Sequence, residues 1–384
     1  MLQIDHIYEF LNSTLYKDLT LYSLPNGVLP TTPVDNYDKP DIHIFNFKPS
    51  SQKIFFYDQE PVLEKFIIPL LGVGLKYLYH AVNILTVSEI SLLVDKICKD
   101  YALLKVYYFF HGFAALDWYR GYYALNYNKS IVKQYNYDFI SFNRIINNDR
   151  SYRIYFVSLL KELGLLEKGL VSFNVTDNLF DDWRDEVADP NTKLSEHARQ
   201  HAETHLVNVD KLVIDNPTLH GSASANILRS DYNLDVDCFW HIVTETVFYY
   251  DKLHLTEKIF KPIVSKQPFM LLAAPGNLAY LKSYGFKTFD SVIDESYDTI
   301  QDNDLRTEAV VKQLHWYCNL TPGEKTDIIK QLEPIIDYNF HHFYGEFSHI
   351  ITRELLNNTK TLFKEIGHDD HHINYENIHH VLTH

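Results

Sequence analysis

Six short runs of apolar, β-branched and aromatic residues punctuate the chain, at 54–57, 82–87, 104–110, 137–142, 236–243 and 268–272, and most lead through a turn into a helix-period segment. Runs of this length bounded by turn signals read as buried strands. Strands alternating with helices predict an α/β architecture built on parallel sheet. The first run ends at Asp58-Gln59-Glu60-Pro61, where a helix can begin, and the second precedes a helical pattern over 88–98. The third ends at His111-Gly112; the fourth passes through Asn143 and Arg144 into a helix over about 150–163, punctuated by Gly164 and Gly169.

Between 174 and 210 the periodicity fails. The stretch Asp181-Asp182-Trp183-Arg184-Asp185-Glu186 is acidic and 190–203 is polar, which reads as a connection carrying some helix. The pattern resumes at 236–243, a strand ending at Thr244-Glu245-Thr246. Thr256 then caps a helix running to about 265, followed by the strand at 268–272 and a helix over 275–284 stopped by Gly285. The segment 306–366 is helical, and a polar, histidine-bearing tail from Gly367 is expected to fray. The organisation expected is one domain over 1–175, a second over 176–340, and a C-terminal helix and tail over 341–384.

The formal net charge of −15 disfavours nucleic acid and anionic membrane as partners. Cys98, Cys238 and Cys318 are far apart and form no zinc or disulfide spacing, which fits a reducing cytoplasm. The apolar stretch 66–75 is interrupted by Pro69, Gly72 and Gly74 and is too short to span a bilayer. No G-x-x-x-x-G-K loop or G-x-G-x-x-G fingerprint is present, so ATPase and dinucleotide readings lack support.

The informative segment joins Cys238-Phe239-Trp240-His241-Ile242-Val243-Thr244-Glu245-Thr246 to Leu255-Thr256-Glu257-Lys258-Ile259-Phe260-Lys261-Pro262. It reads as a buried strand turning polar at its carboxyl end, then a capped helix. Ligands of open α/β sheets sit outside the carboxyl ends of strands, and a helix N-terminus offers free N–H groups to an anion. A lysine at the second helical position can reach a phosphate, and a glutamate beside it can accept from two ribose hydroxyls.

On these residues, 239–262 resembles the donor-binding signature of the fucosyltransferase-like glycosyltransferases, in which a strand ends in a Phe-Glu-Asn-like turn before a Thr-Glu-Lys helix start. Glu245, Thr256, Glu257 and Lys258 fill those places. A second match lies at Phe139-Ile140-Ser141-Phe142-Asn143-Arg144 and the helix after it. Further likeness at Lys266-Gln267-Pro268-Phe269, Pro275-Gly276 and the run Asp294-Glu295-Ser296-Tyr297-Asp298 is similar to members encoded by tailed phages and marine bacteria. The resemblance covers about 137–300. It implies a GT-B-like fold of two Rossmann-like domains facing across a cleft, with Glu257 on the donor ribose and Lys258 on its phosphates. It places an arginine on the pyrophosphate: Arg153 by spacing, with Arg150 and Arg144 as rivals, and Lys261 joining the donor-side set.

The implied activity is inverting transfer of a hexosyl or deoxyhexosyl group from a GDP- or UDP-sugar to a hydroxyl acceptor, a glycan foremost. Such transfer needs a base on the acceptor hydroxyl. Glu60 and then Asp58 are the expected bases, with His111 and Asp117 on the acceptor side. Asp235-Val236-Asp237 has the Asp-x-Asp form but opens a strand rather than closing one, so no metal and no cofactor is expected. Two alternatives stay open: glycosylation of modified DNA bases, in a host cytoplasm if the gene is viral, and a binding module of the same fold without turnover.

Overall fold

A computed structural model describes residues 20–23, 53–57, 82–86, 104–108, 115–116, 119, 133, 135–136, 137–173, 182–209, 211–214, 238–366, 371 and 373–383. The strands are β1 Thr20–Ser23, β2 Lys53–Tyr57, β3 Val82–Thr86, β4 Leu104–Tyr108, β5 Tyr137–Ser141, β6 Gly169–Val171, β7 Cys238–Thr244 and β8 Phe269–Leu272. The helices are α1 Tyr152–Glu162, α2 Trp183–Ala188, α3 Glu196–His205, α4 Glu257–Val264, α5 Asn277–Ser283, α6 Asn303–Cys318, α7 Pro322–Tyr344, α8 Glu346–Ile366 and α9 Tyr375–Thr383. The α/β class expected from the alternation is the class observed. Among the described residues, no helix is long and apolar enough to cross a membrane.

Two compact units divide the chain. One gathers Met1–Gly121, Lys252–His254 and Tyr344–His384; the other gathers Tyr122–Asp251 and Leu255–Phe343. The first unit carries a parallel sheet of order β1-β2-β3-β4, in which each strand pairs with the next in sequence. The division falls near residue 121 rather than at the expected 175, because β5 pairs with β6 and β7 and not with β4.

The second unit holds a parallel sheet of order β6-β5-β7-β8. Strands β7 and β8 are covered on both faces: all seven residues of β7 and all four of β8 are buried. Parallel strands covered by helices on both sides are buried in this way. Trp240 anchors the core, meeting Phe289 and Tyr317 edge to face, while Phe239 stacks on Tyr317. Lys325 of α7 pairs with Asp138 of β5 at 2.6 Å, and Asn339 exchanges hydrogen bonds with both backbone groups of Lys287.

The winding of this sheet reverses. From β5 the chain crosses through α1 to β6 on one side, while β7 lies on the other side of β5 and crosses through α4 to β8. Right-handed crossovers in opposite directions put their helices on opposite faces, and ligands of such sheets sit at that reversal, here the carboxyl ends of β5 and β7.

The stretch read as a connection supplies α2 and α3, which belong to the second unit; α3 packs on α1 and α2 on α3. The tail, expected to fray, contains α9. Ile373 and Ile378 are buried there, and His379 stacks on His349 of α8 with ring centroids 4.5 Å apart.

Candidate functional site at the carboxyl ends of β5 and β7

Side chains stitch these strand ends into one floor. Ser141 Oγ donates to the Ile242 carbonyl, and Asn143 Nδ2 donates to Ser141 Oγ at 3.1 Å. Thr244 Oγ1 donates to Asn143 Oδ1 at 3.0 Å, and the Asn143 N–H donates to Ser172 Oγ at 2.8 Å. Asn143 is fully buried and joins the ends of β5, β6 and β7. The sequence places it after the strand but gives it no site role, since one asparagine there is also an ordinary turn residue.

Arg153, on the first turn of α1, reaches into this floor. Its Nη1 donates to the Ile145 carbonyl at 2.8 Å and its Nη2 to the Thr244 carbonyl at 2.7 Å. Next to it, the Tyr152 hydroxyl donates to the Glu245 carbonyl at 2.6 Å. Arg153 is only 3% exposed, and burial lowers its pKa. Its guanidinium therefore braces Thr244, the last residue of β7, against Ile145, with Nε buried and unpartnered.

Glu245 links the strand to α4. Its carboxylate accepts from the Thr256 N–H at 3.1 Å, the Thr256 hydroxyl at 2.6 Å and the Thr246 N–H at 3.2 Å. It is 0% exposed, and burial raises its pKa against the opposing pull of Lys258 and Thr256. Thr256, with extended backbone at φ −106°, caps α4 by accepting from the Lys258 N–H. One hydroxyl thus gives its proton to Glu245 and its lone pairs to the helix start.

Lys258 lies over this junction. Its Nζ donates to Thr246 Oγ1 at 3.0 Å, Thr256 Oγ1 at 3.1 Å and Glu257 Oε1 at 3.3 Å. Its side chain keeps 30% exposure, against 11% for Glu257. Arg153 and Lys258 therefore contact residues 244 and 246 of one strand end. Their charges face two carboxylates, Glu245 and Glu257.

The other sequence-predicted residues separate. Lys261, one turn along α4, is buried with Nζ 3.4 Å above the Phe142 ring. Arg144 is exposed and Arg150 half-buried. Of the run at 294–298, Asp298 caps α5 through the N–H groups of Leu278 and Ala279, and Glu295 accepts from the Phe289 N–H. Asp58, Glu60, His111, Asp117 and the Asp235-Val236-Asp237 motif lie outside the described residues.

A second buried arginine escaped notice. Arg306 donates to the carbonyls of Ala273, Ile300, Gln301 and Phe248 and to Asn303 Oδ1, with its guanidinium 4.3 Å over the Phe248 ring. Burial lowers its pKa to about 10. It fixes the segment after β8 to the loop after β7. Among the described residues, the side chains grouped closely enough for a metal lie elsewhere, at Glu162, His201 and His205.

No family model, curated protein or solved structure matches the chain.

Proposed function

We propose that this chain is a glycosyltransferase of GT-B type, with a nucleotide-sugar donor seated at the carboxyl ends of β5 and β7. The observation that carries the reading is the position of Lys258: a half-exposed ammonium at the start of a capped helix, beside the point where the sheet reverses its winding. A helix start and a lysine together make a site for a diphosphate. Glu257 has the chemistry to accept from ribose hydroxyls. Arg153 holds the Thr244 end of the strand in place and adds positive charge beneath it.

In the inverting transfer proposed, the acceptor oxygen forms a bond to the anomeric carbon as the bond from that carbon to the phosphate oxygen breaks. The acceptor proton passes to a carboxylate, for which Glu60 and then Asp58 are the candidates. The bonding electrons leave with the nucleoside diphosphate, whose charge Lys258 and the α4 dipole stabilise. The net charge of −15 favours a glycan or other small hydroxyl acceptor over DNA.

Titration with GDP, UDP and their sugars by calorimetry tests the reading. One nucleoside diphosphate is expected to bind, and Lys258→Ala to weaken it by about 1.5–3 kcal/mol, roughly 10- to 100-fold, with the circular dichroism spectrum unchanged. No binding by any of these nucleotides, or equal binding by the variant, overturns it.

A further inference from the structure

The faces of α1 and α3 meet along a polar seam. Tyr155, Ser158 and Glu162 follow one another on α1 at spacings of three and four, and His197, His201 and His205 follow on α3 at spacings of four. Each spacing keeps its residues on one helical face. Tyr155 Oη lies 3.1 Å from His197 Nε2, Ser158 Oγ lies 2.8 Å from His201 Nδ1, and Glu162 Oε2 lies 3.2 Å from His201 Nε2. The His201 and His205 rings are 4.3 Å apart by centroid. Candidate ligand atoms of Glu162, His201 and His205 all fall within 4.8 Å of one another.

The hydrogen bonds fix the tautomer of His201. Ser158 Oγ donates its only proton to the Tyr155 carbonyl at 2.7 Å, so its oxygen accepts from His201 Nδ1–H. In the neutral ring, Nε2 then carries a lone pair and faces a carboxylate oxygen at 3.2 Å. Two lone pairs at that distance need a cation between them, either a second ring proton or a metal ion. A tetrahedral ion with bonds of about 2.0–2.2 Å spaces its ligand atoms about 3.3 Å apart, close to the separation seen. Metal-binding histidines donate the other ring N–H to an oxygen, as His201 does to Ser158.

We propose that Glu162, His201 and His205 bind one divalent transition ion of the zinc class, clipping α1 to α3. Two imidazoles and one carboxylate suit zinc, cobalt or nickel over magnesium or calcium. Glu162 and His201 also line an open cleft of about 430 Å³ with Tyr155, His197, Glu308 and His315, which gives the ion a way in. The Tyr155 hydroxyl donates to Glu308 at 2.6 Å and holds the side of the cleft next to the site. Glu162 closes α1 and Arg153 opens it, nine residues or about 14 Å along the axis, so this site stands apart from the diphosphate site and does not depend on the sugar-transfer reading.

Equilibrium titration of the full chain with zinc chloride, with cobalt(II) absorption as a second readout, tests the proposal. Any zinc taken up by the C-terminal histidines is common to all variants, so the difference between proteins is what counts. Wild type is expected to bind one tight equivalent more than His201→Ala/His205→Ala, and to gain melting temperature on zinc addition where that variant does not. Glu162→Gln changes an exposed side chain on an intact helix, and is expected to lose the same equivalent and the cobalt d–d bands. Ser158→Ala is expected to keep the equivalent but weaken it about 10-fold or more through loss of the ring's orienting partner. Equal tight stoichiometry in wild type and Glu162→Gln overturns the proposal, as does a cobalt spectrum that none of these substitutions alters.

Discussion

Arg153 and Lys258 have the same role in the sequence pattern, and substituting them separates two roles. Arg153→Ala removes two charge-assisted hydrogen bonds, to the carbonyls of Ile145 and Thr244, from a site 3% exposed. Each such bond contributes about 1.5–3 kcal/mol. Lys258 stays beside the buried Glu245 carboxylate, so the loss comes from those two bonds and the carbonyls left without them. Losing both is expected to cost about 3–6 kcal/mol. It is a large share of the roughly 5–15 kcal/mol typical of a domain. Arg153→Lys is expected to recover only part, because an ammonium lacks the fork that reaches both carbonyls. Urea unfolding followed by tryptophan fluorescence measures it, since Trp183, Trp240 and Trp316 all report on the second unit. A lower midpoint at constant slope is the expected signature. Lys258→Ala, at a half-exposed position, is expected to cost no more than about 1 kcal/mol in the same assay. A loss below about 1 kcal/mol for Arg153→Ala would refute the bracing role and return its guanidinium to the ligand.

Glu245 should tune stability with pH. Its folded pKa is raised by burial, so the folded state keeps a proton that the unfolded chain has released; the ionised form costs stability above the folded pKa, and that cost is relieved as pH falls through it. Wild type should therefore gain on Glu245→Gln when urea midpoints are compared at falling pH from neutrality, and a gap that moves the other way contradicts the burial argument. Gly169→Ala should destabilise the second unit by about 1–3 kcal/mol, because the added carbon would meet the Phe139 ring 2.5 Å away beneath the edge strand. A melting temperature equal to wild type would show that the ring has room to move.

The parts of the fold that could be read from sequence are those with their own local signal. The runs at 54–57, 82–87, 104–110, 137–142 and 268–272 stand out as apolar and turn-bounded, and all appear as strands within a few residues. Thr256 declares its helix because a hydroxyl before a Glu-Lys start has one efficient use. The three-residue β6 gives no period to detect, and Gly169, taken as a helix stop, opens it because only a glycine clears Phe139. The placement of β5 was hidden as well, since which strand it pairs with depends on a partner about 100 residues away. Arg306 looks like one polar residue among Asn303, Asp304 and Thr307, and only the carbonyls gathered around it reveal its burial. At the candidate site, the helix start was legible because it is local. The inward turn of Arg153 was not, because its acceptors come from two distant segments.

That long reach of Arg153 sets an order of assembly. The Thr244 carbonyl it grips arrives 91 residues after it, whereas Glu245 meets Thr256 only eleven residues later. Emerging from the ribosome, α1 holds a cation destined for the interior long before the strand that neutralises its hydrogen-bonding demand exists. A polypeptide released before residue 238 lacks that acceptor and leaves the guanidinium to water.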